Sequence, residues 1–194
     1  VLGGVAVVLG VALAAVLFIF IPTGLSSLLK PLLGAGIGLS LFEGLIKVII
    51  LVGYMWLSSR MKEIHRVFEY HGAEHKSIAC YEAGLPLTVE NIRPQRRFHP
   101  RCGTSFLFLV VFISIIVGSF ISWDNPAIRM LLKLALIPVV VGISYELIKL
   151  AGRSDGILTR IISAPGMWLQ RITTCEPDDS QIELSLIHIS EPTR

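Results

Sequence analysis

Four histidines, His65, His71, His75 and His99, fall within one 35-residue stretch of this chain. Two of them frame the run Tyr70-His71-Gly72-Ala73-Glu74-His75-Lys76. Residues four apart share a helix face, so His71 and His75 can hold one metal ion between them. Glu74, beside His75, can orient a metal-bound water or take its proton as a general base. The order H-x-x-E-H is that of the inverted zincins. The Ala-Glu-His-Lys run favours helix, and Gly72 opposes it only mildly. Two ligands leave a site incomplete. A second cluster, His99-Pro100-Arg101-Cys102-Gly103-Thr104, offers borderline and soft donors suited to zinc, on a proline- and glycine-bearing turn. Four ligands, His71, His75, His99 and Cys102, would make a closed structural site, whereas three plus water would make an open one fit for catalysis. Cys80, Glu82 and Glu90 lie between the clusters as further candidates. The plain alternative is two packed or solvated histidines with no metal.

The other residues of these types read more simply. His65 lies six positions from His71, on another face, and is expected at the surface. Cys80 is expected as a small buried residue. Three widely spaced cysteines do not make a disulfide framework, and a cytosolic setting would disfavour a Cys80–Cys102 bond. Gly34-x-Gly36-x-Gly38 has no strand before it, so it reads as a close helix contact or part of a re-entrant turn rather than a phosphate cradle.

The elements that must position these residues belong to a membrane protein. The chain has 194 residues, 53% hydrophobic and only 16% charged, with a mean hydropathy of +0.72. Soluble domains carry about 25% charged residues. That excludes a water-soluble globule, a disordered chain and a disulfide-rich secreted module. The formal charge of +3 is too small to argue for a nucleic acid partner. The expected architecture is all-α, a polytopic bundle of about four spans with a cytoplasmic metal-binding loop domain. Residues 1–58 hold two spans, Val1–Ile21 and Leu39–Ser58, joined by a loop at Pro22–Pro31. Residues 59–103 form the polar metal-site domain. Residues 104–151 form a hairpin, Thr104–Trp123 and Ala127–Lys149, turning at Asp124-Asn125-Pro126 and kinked by Pro138. Residues 152–183 hold an interfacial helix, interrupted at Pro165-Gly166 with Trp168 at headgroup level, then an acidic solvated tail. The chain opens inside an apolar run with no Met and is expected to be truncated there. Its last eleven residues, Leu184–Arg194 (LSLIHISEPTR), look like a translated sequencing adapter and are set outside the fold.

Basic residues orient the bundle. Arg60, Lys62, Arg66, Lys76, Arg93, Arg96, Arg97 and Arg101 lie in the polar stretch, and Lys149, Arg153, Arg160 and Arg171 follow the fourth span, so both face the cytoplasm. The run from Arg93 to Arg101 reads as an attraction for anionic lipid. Within the spans, Glu43 and Lys133 lie at matching depth, about 22–24 Å from the inner face at ~1.5 Å per residue. They are expected to pair, or Glu43 to pair with Lys47 on its own helix. The pair is expected to fix helix register, whereas Arg129 and Lys133 can also snorkel.

The segments YHGAEHKSIACYEAGLPLTVENIRPQRRFHPRCGTSF, GISYELIKLAG, APGMWLQRITT and EPDDSQIE resemble the YqhQ-like bacterial membrane proteins, a family catalogued by a domain of unknown function and labelled a predicted metal-dependent enzyme. The resemblance covers Val1–Glu183. It implies a multi-span protein of the bacterial inner membrane, preceded by a cytosolic segment that this chain lacks. The family has a basic residue where this chain has Cys175.

The leading expectation is a metal-dependent hydrolase of unknown substrate, with zinc on His71 and His75, help from Cys102 or His99, and Glu74 as base. The second is a non-catalytic membrane scaffold whose zinc folds the loop for partners. A transporter using Glu43, Lys47 and Lys133 ranks last. Such a bundle is also compatible with a homo-oligomer.

Overall fold

In a computed structural model the chain is α-helical, with no strand among the described residues, which are 2–34, 37–100, 102–121, 125–151 and 156–190. Gly36, Arg101, Trp123, Asp124, Gly152 and Arg153, which carry parts of the expectations above, lie outside them. The helices are α1 (Leu2–Ala15), a π turn (Val16–Phe20), α2 (Ile21–Leu33), α3 (Ile37–Ser58), α4 (Lys62–Glu82), α5 (Val89–Ile92), α6 (Gly103–Ser119), α7 (Pro126–Ala135), α8 (Ile137–Ala151), α9 (Ile157–Thr173) and α10 (Asp179–Ser190). The chain divides into two compact units. One is Val1–Gly53 with Phe108–Leu147, and the other is Tyr54–Leu107 with Ile148–Arg194.

The first unit is built from apolar helices. Among the described residues, two helices are long and apolar enough to cross a membrane, Gly3–Leu32 and Ile37–Ser58. The pair Ala127–Ala135 and Ile137–Leu150, bent by 43°, makes a third if it is one span. The expected span Thr104–Trp123 is a helix of only 17 residues, Gly103–Ser119. Val7 and Val8 of α1 are 66% and 67% exposed, so this helix offers an apolar surface rather than a core-facing stripe.

The expected loop at Pro22–Pro31 is helix instead. Pro22 has no N–H for the carbonyl of Phe18. The π turn absorbs that loss, because Ile21 N–H reaches back to the Val16 carbonyl and the ladder changes register just before the proline. Pro31 falls in the last turn of α2. On α3, Leu39, Glu43, Lys47 and Leu51 are buried at a strict spacing of four, one stripe of the helix. A Cβ on Gly44 would meet the Ile115 side chain at 2.8 Å, so this glycine lets α3 and α6 approach closely. The bend between α7 and α8 falls where Pro138 cannot serve the Leu134 carbonyl.

The second unit packs α4, α5, α9 and α10. Ala73, Cys80, Ile92 and Ile182 form its buried core, flanked by Leu87, Val89 and Leu186. Cys80 is a small core residue there, fully buried. Helix α9 runs through Pro165-Gly166 without a break. Gly166 lies against Ser105, which leaves no room for a side chain. The acidic segment after Cys175 does not stay solvated. Asp178 accepts from Gln181 N–H at 2.9 Å and starts α10, whose Ile182 is buried against α4. This helix continues into the set-aside residues, where the Ser185 hydroxyl meets that of Ser77 at 2.7 Å.

Candidate metal centre

Helix α4 carries His71 and His75 one turn apart, and Cys102 closes the group just before α6. One ligand atom from each of the three lies within 4.8 Å of the others. The His71 and His75 rings sit edge to face with centroids 4.4 Å apart. His71 Nε2 is 3.1 Å from Cys102 Sγ. His75 and Cys102 are each 4% exposed, and His71 is half-buried.

The far sides of both rings are anchored on main chain. His71 Nδ1 donates to the Thr173 carbonyl at 2.9 Å, at the end of α9. His75 Nδ1 donates to the Arg97 carbonyl at 2.6 Å. A carbonyl can only accept, so each Nδ1 carries the proton. Nε2 is then the metal-facing nitrogen, the arrangement found around metal-bound imidazoles. Two close approaches create these anchors. Gly72 lies directly under the Cys175 carbonyl oxygen, where a Cβ would collide, and Cys175 N–H bonds to the Phe68 carbonyl at 2.9 Å. Gln170 grips the other strand of the site. Its side chain accepts from His99 N–H at 2.9 Å and donates to the His99 carbonyl at 2.7 Å and the Ser105 hydroxyl at 2.9 Å.

Electrostatics favour a ligating thiolate. Burial by itself would raise the Cys102 pKa, but hydrogen bonds from His71, His75 and Thr104 outweigh it and lower the pKa to about 5. The hydrogen bond to Cys102 raises the His71 pKa against the opposing effect of burial, with the Thr173 carbonyl adding to the rise. Without metal, His71 and Cys102 therefore form an imidazolium–thiolate pair. A metal held by His71 here would take the place of the Nε2 proton. Two imidazoles and a thiolate are the donors that suit zinc and similar borderline ions.

The other expected site residues fall elsewhere. His99 is buried, with its ring centroid 5.9 Å from that of His75, and its Nε2 lies 3.4 Å from a Glu82 carboxylate oxygen. It stands beside the three-ligand group, outside it. Glu74 is exposed on α4, near enough to raise the His71 pKa slightly. His65 is at the surface, 3.5 Å from Glu69. Arg93 pairs with Asp179 at 2.6 Å and Arg97 with Glu176 at 3.5 Å, so half of the expected lipid-facing run is matched by carboxylates of the same unit. In the first unit, Glu43 and Lys133 are ion-paired, and Lys47 and Arg129 join them. Sequence reasoning left Gln170 unnoticed, because an isolated glutamine on an amphipathic helix carries no motif. Thr104, 3.2 Å from Cys102 Sγ, stood at the end of the second cluster but had no role there.

The family described as protein of unknown function (DUF1385) matches residues 2–193. The chain belongs to this family. It is 40% identical over 178 residues to the uncharacterized protein YqhQ of Bacillus subtilis (strain 168). That alignment covers 91% of this chain and 56% of the relative, so the chain spans little more than half the length of the curated relative it matches. No solved structure matches the chain. In this chain His71, His75 and Cys102 form a cluster that could hold a metal, in a helical protein with two or three candidate spans among the described residues.

Proposed function

We infer that the protein is an integral protein of the bacterial cell membrane, with a mononuclear zinc centre on His71, His75 and Cys102 that supports metal-dependent hydrolysis. The observation that carries this reading is the double anchoring of the rings. Backbone carbonyls of Thr173 and Arg97 accept from both Nδ1 atoms, which turns the two Nε2 atoms toward one sulfur. A core of packed histidines has no need of that convergence. The apolar faces left exposed on α1 and α3 support the membrane setting, with four spans and the α4 unit in the cytoplasm. Anionic lipid is then the nearest partner of the unmatched basic residues.

Three protein ligands are the number found in catalytic zinc sites, with water in the fourth position. His99, engaged with Glu82, leaves that position to water. Zinc would supply Lewis acidity and an acidified water. Glu74, next to His75 and exposed, is the base assigned to that water. The substrate class is open to ester, peptide or phosphoester bonds.

Elemental analysis of the full-length, detergent-purified protein tests the reading. One zinc per chain is expected, falling to background in His71→Ala; a metal-free wild type, or full occupancy in the variant, refutes the site. Cobalt(II) in place of zinc then separates catalysis from a structural role without knowledge of the substrate. A visible spectrum that shifts with added hydroxamate reports an exchangeable position. An unresponsive spectrum makes the zinc a fold-stabilising element of a scaffold. Glu74→Gln should keep the metal and lose the hydrolytic activity.

A further inference from the structure

In the first unit a single carboxylate faces three cations. Glu43 Oε1 meets Lys133 Nζ and, at 3.3 Å each, Lys47 Nζ and the Thr23 hydroxyl; Oε2 meets Arg129. The side chains are 4% exposed for Glu43, 8% for Lys47, 9% for Arg129 and 10% for Lys133. Arg129 also donates to the Ser26 hydroxyl at 3.2 Å, and Lys133 to the Thr23 hydroxyl at 3.3 Å. Thr23 and Ser26 are fully buried. Among the described residues of this unit the only other carboxylate is Glu146, exposed in the last turns of α8.

Charge bookkeeping leaves this cluster incomplete. One carboxylate balances one cation, and two positive charges remain out of water within an apolar unit. Buried charges are retained when paired, and those among candidate spans are usually functional. We propose that the Glu43–Lys47–Arg129–Lys133 cluster is the binding site of an oxyanion of the phosphate class. Two ammonium groups and a guanidinium, with buried hydroxyls beside them, form a donor set that phosphate oxygens satisfy. A dianion matches the surplus in full. The cluster lies within reach of one end of the unit. Glu43 is six residues from the start of α3 and Lys133 seven from the start of α7, a depth of about 10 Å at ~1.5 Å per residue. A phosphate in solution and a phosphate on a lipid headgroup both bring this chemistry. The proposal is independent of the metal centre.

The test uses the full-length protein in detergent and in vesicles. Inorganic phosphate is titrated in lipid-free micelles against chloride at equal ionic strength, with calorimetry and the unfolding midpoint as readouts. Retention of phosphatidic acid over phosphatidylcholine, from mixed vesicles, is measured by mass spectrometry of the purified protein. The wild type should bind one of the two probes, and Lys133→Met should bind it at least tenfold more weakly. That variant leaves Glu43 with Arg129 and Lys47, so the fold has a paired carboxylate to keep. Binding of inorganic phosphate identifies a soluble ligand. Retention of phosphatidic acid alone identifies a headgroup. The proposal fails if neither probe exceeds its control, or if Lys133→Met and Arg129→Gln bind as well as the wild type. It also fails if Lys133→Met raises the midpoint while the wild type ignores both probes, since the surplus is then a plain structural cost.

Discussion

Each unit of this protein buries a cluster of reactive or charged side chains, and these two clusters have opposite character. In the second unit, electron-pair donors converge: two imidazole nitrogens and a thiolate within 4.8 Å. In the first, proton donors converge: two ammonium groups and a guanidinium on one carboxylate. The ways the clusters are held also differ. The candidate metal cluster is positioned from outside, by the Thr173 and Arg97 carbonyls and, through His99 and Ser105, by Gln170. The charge cluster is positioned by its own members, with Glu43 as the common acceptor. Removing a member should therefore have unequal consequences in the two places.

The largest effect is expected at Glu43. Glu43→Gln keeps the size of the side chain but leaves three buried cations without a counter-charge, a loss of about 3–5 kcal/mol. His75→Ala in the metal-free protein removes one anchored ring and should cost about 1–3 kcal/mol. Chemical or thermal unfolding of both variants in the same detergent reads the order. A Glu43→Gln protein as stable as His75→Ala would show that water or lipid already relieves the first cluster, and the contrast drawn here would collapse. On the proposed zinc centre, zinc loading should widen it from the other side, stabilising the wild type and not His75→Ala.

The next effect sharpens how the metal cluster is held. A Cβ at residue 72 would strike the Cys175 carbonyl. Gly72→Ala should push the segment after α9 away from α4 and draw the Thr173 carbonyl off His71. A loss of about 1–3 kcal/mol is expected from the overpacking. Zinc affinity should fall with it, by about 10–100-fold for a lost orienting bond. Gly44→Ala, whose Cβ would strike the Ile115 side chain within the first unit, should leave zinc affinity unchanged. Equal loss of zinc affinity in the two variants would mean that the second cluster is not positioned locally.

Gln170→Leu should act more gently. It removes three hydrogen bonds that fix His99 and Ser105 on either side of Cys102, at about 1–3 kcal/mol, partly offset by the apolar replacement. Zinc affinity should drop about tenfold while the Cys80 core stays intact. Competition with a chromogenic chelator measures the first, and hydrogen exchange over α4 the second.

These residues also show what the sequence made legible. Spacing alone placed His71 and His75 on one face, because a period of four is a property of the helix itself. The pairing of Glu43 with Lys133 followed from depth counting for the same reason. Residues that act across the fold were invisible. Arg129 looked like an end-of-helix cation until α7 brought it to Glu43. Gln170 and the two carbonyls carry no side-chain signature that distinguishes an anchor from any other backbone. The expected loop at Pro22–Pro31 failed because a π turn, which leaves no trace in composition, supplied the register change that the proline needs. His99 was grouped with Cys102 by closeness in sequence; its ring nitrogen lies 3.4 Å from Glu82, a partner that closeness in sequence does not reveal.

The smallest effect is a single proton. In the metal-free site the Cys102 pKa is lowered to about 5 and that of His71 is raised. A lowered thiol pKa contributes stability that is lost as pH falls through about 5. A raised imidazole pKa contributes stability that is lost as pH rises through its folded value. The pair is therefore strongest between those limits, and in that window His71 carries a proton on Nε2. Zinc must expel it, so loading near neutral pH should release about one proton, and zinc affinity should rise with pH until His71 has titrated. Calorimetry of zinc binding in buffers of different ionisation enthalpy counts the protons. Thiolate ultraviolet absorbance of the metal-free protein, compared with Cys102→Ser, reports the titration near pH 5 directly. No proton release, with the Cys102 thiolate absent at neutral pH, would mean that the imidazole and thiol are held apart in solution. The first unit contains no cysteine, so this imidazole–thiolate window belongs to the second unit alone. Proton release on zinc loading that disappears in Cys102→Ser would thus tie the count to the His71–Cys102 pair and not to the charge cluster.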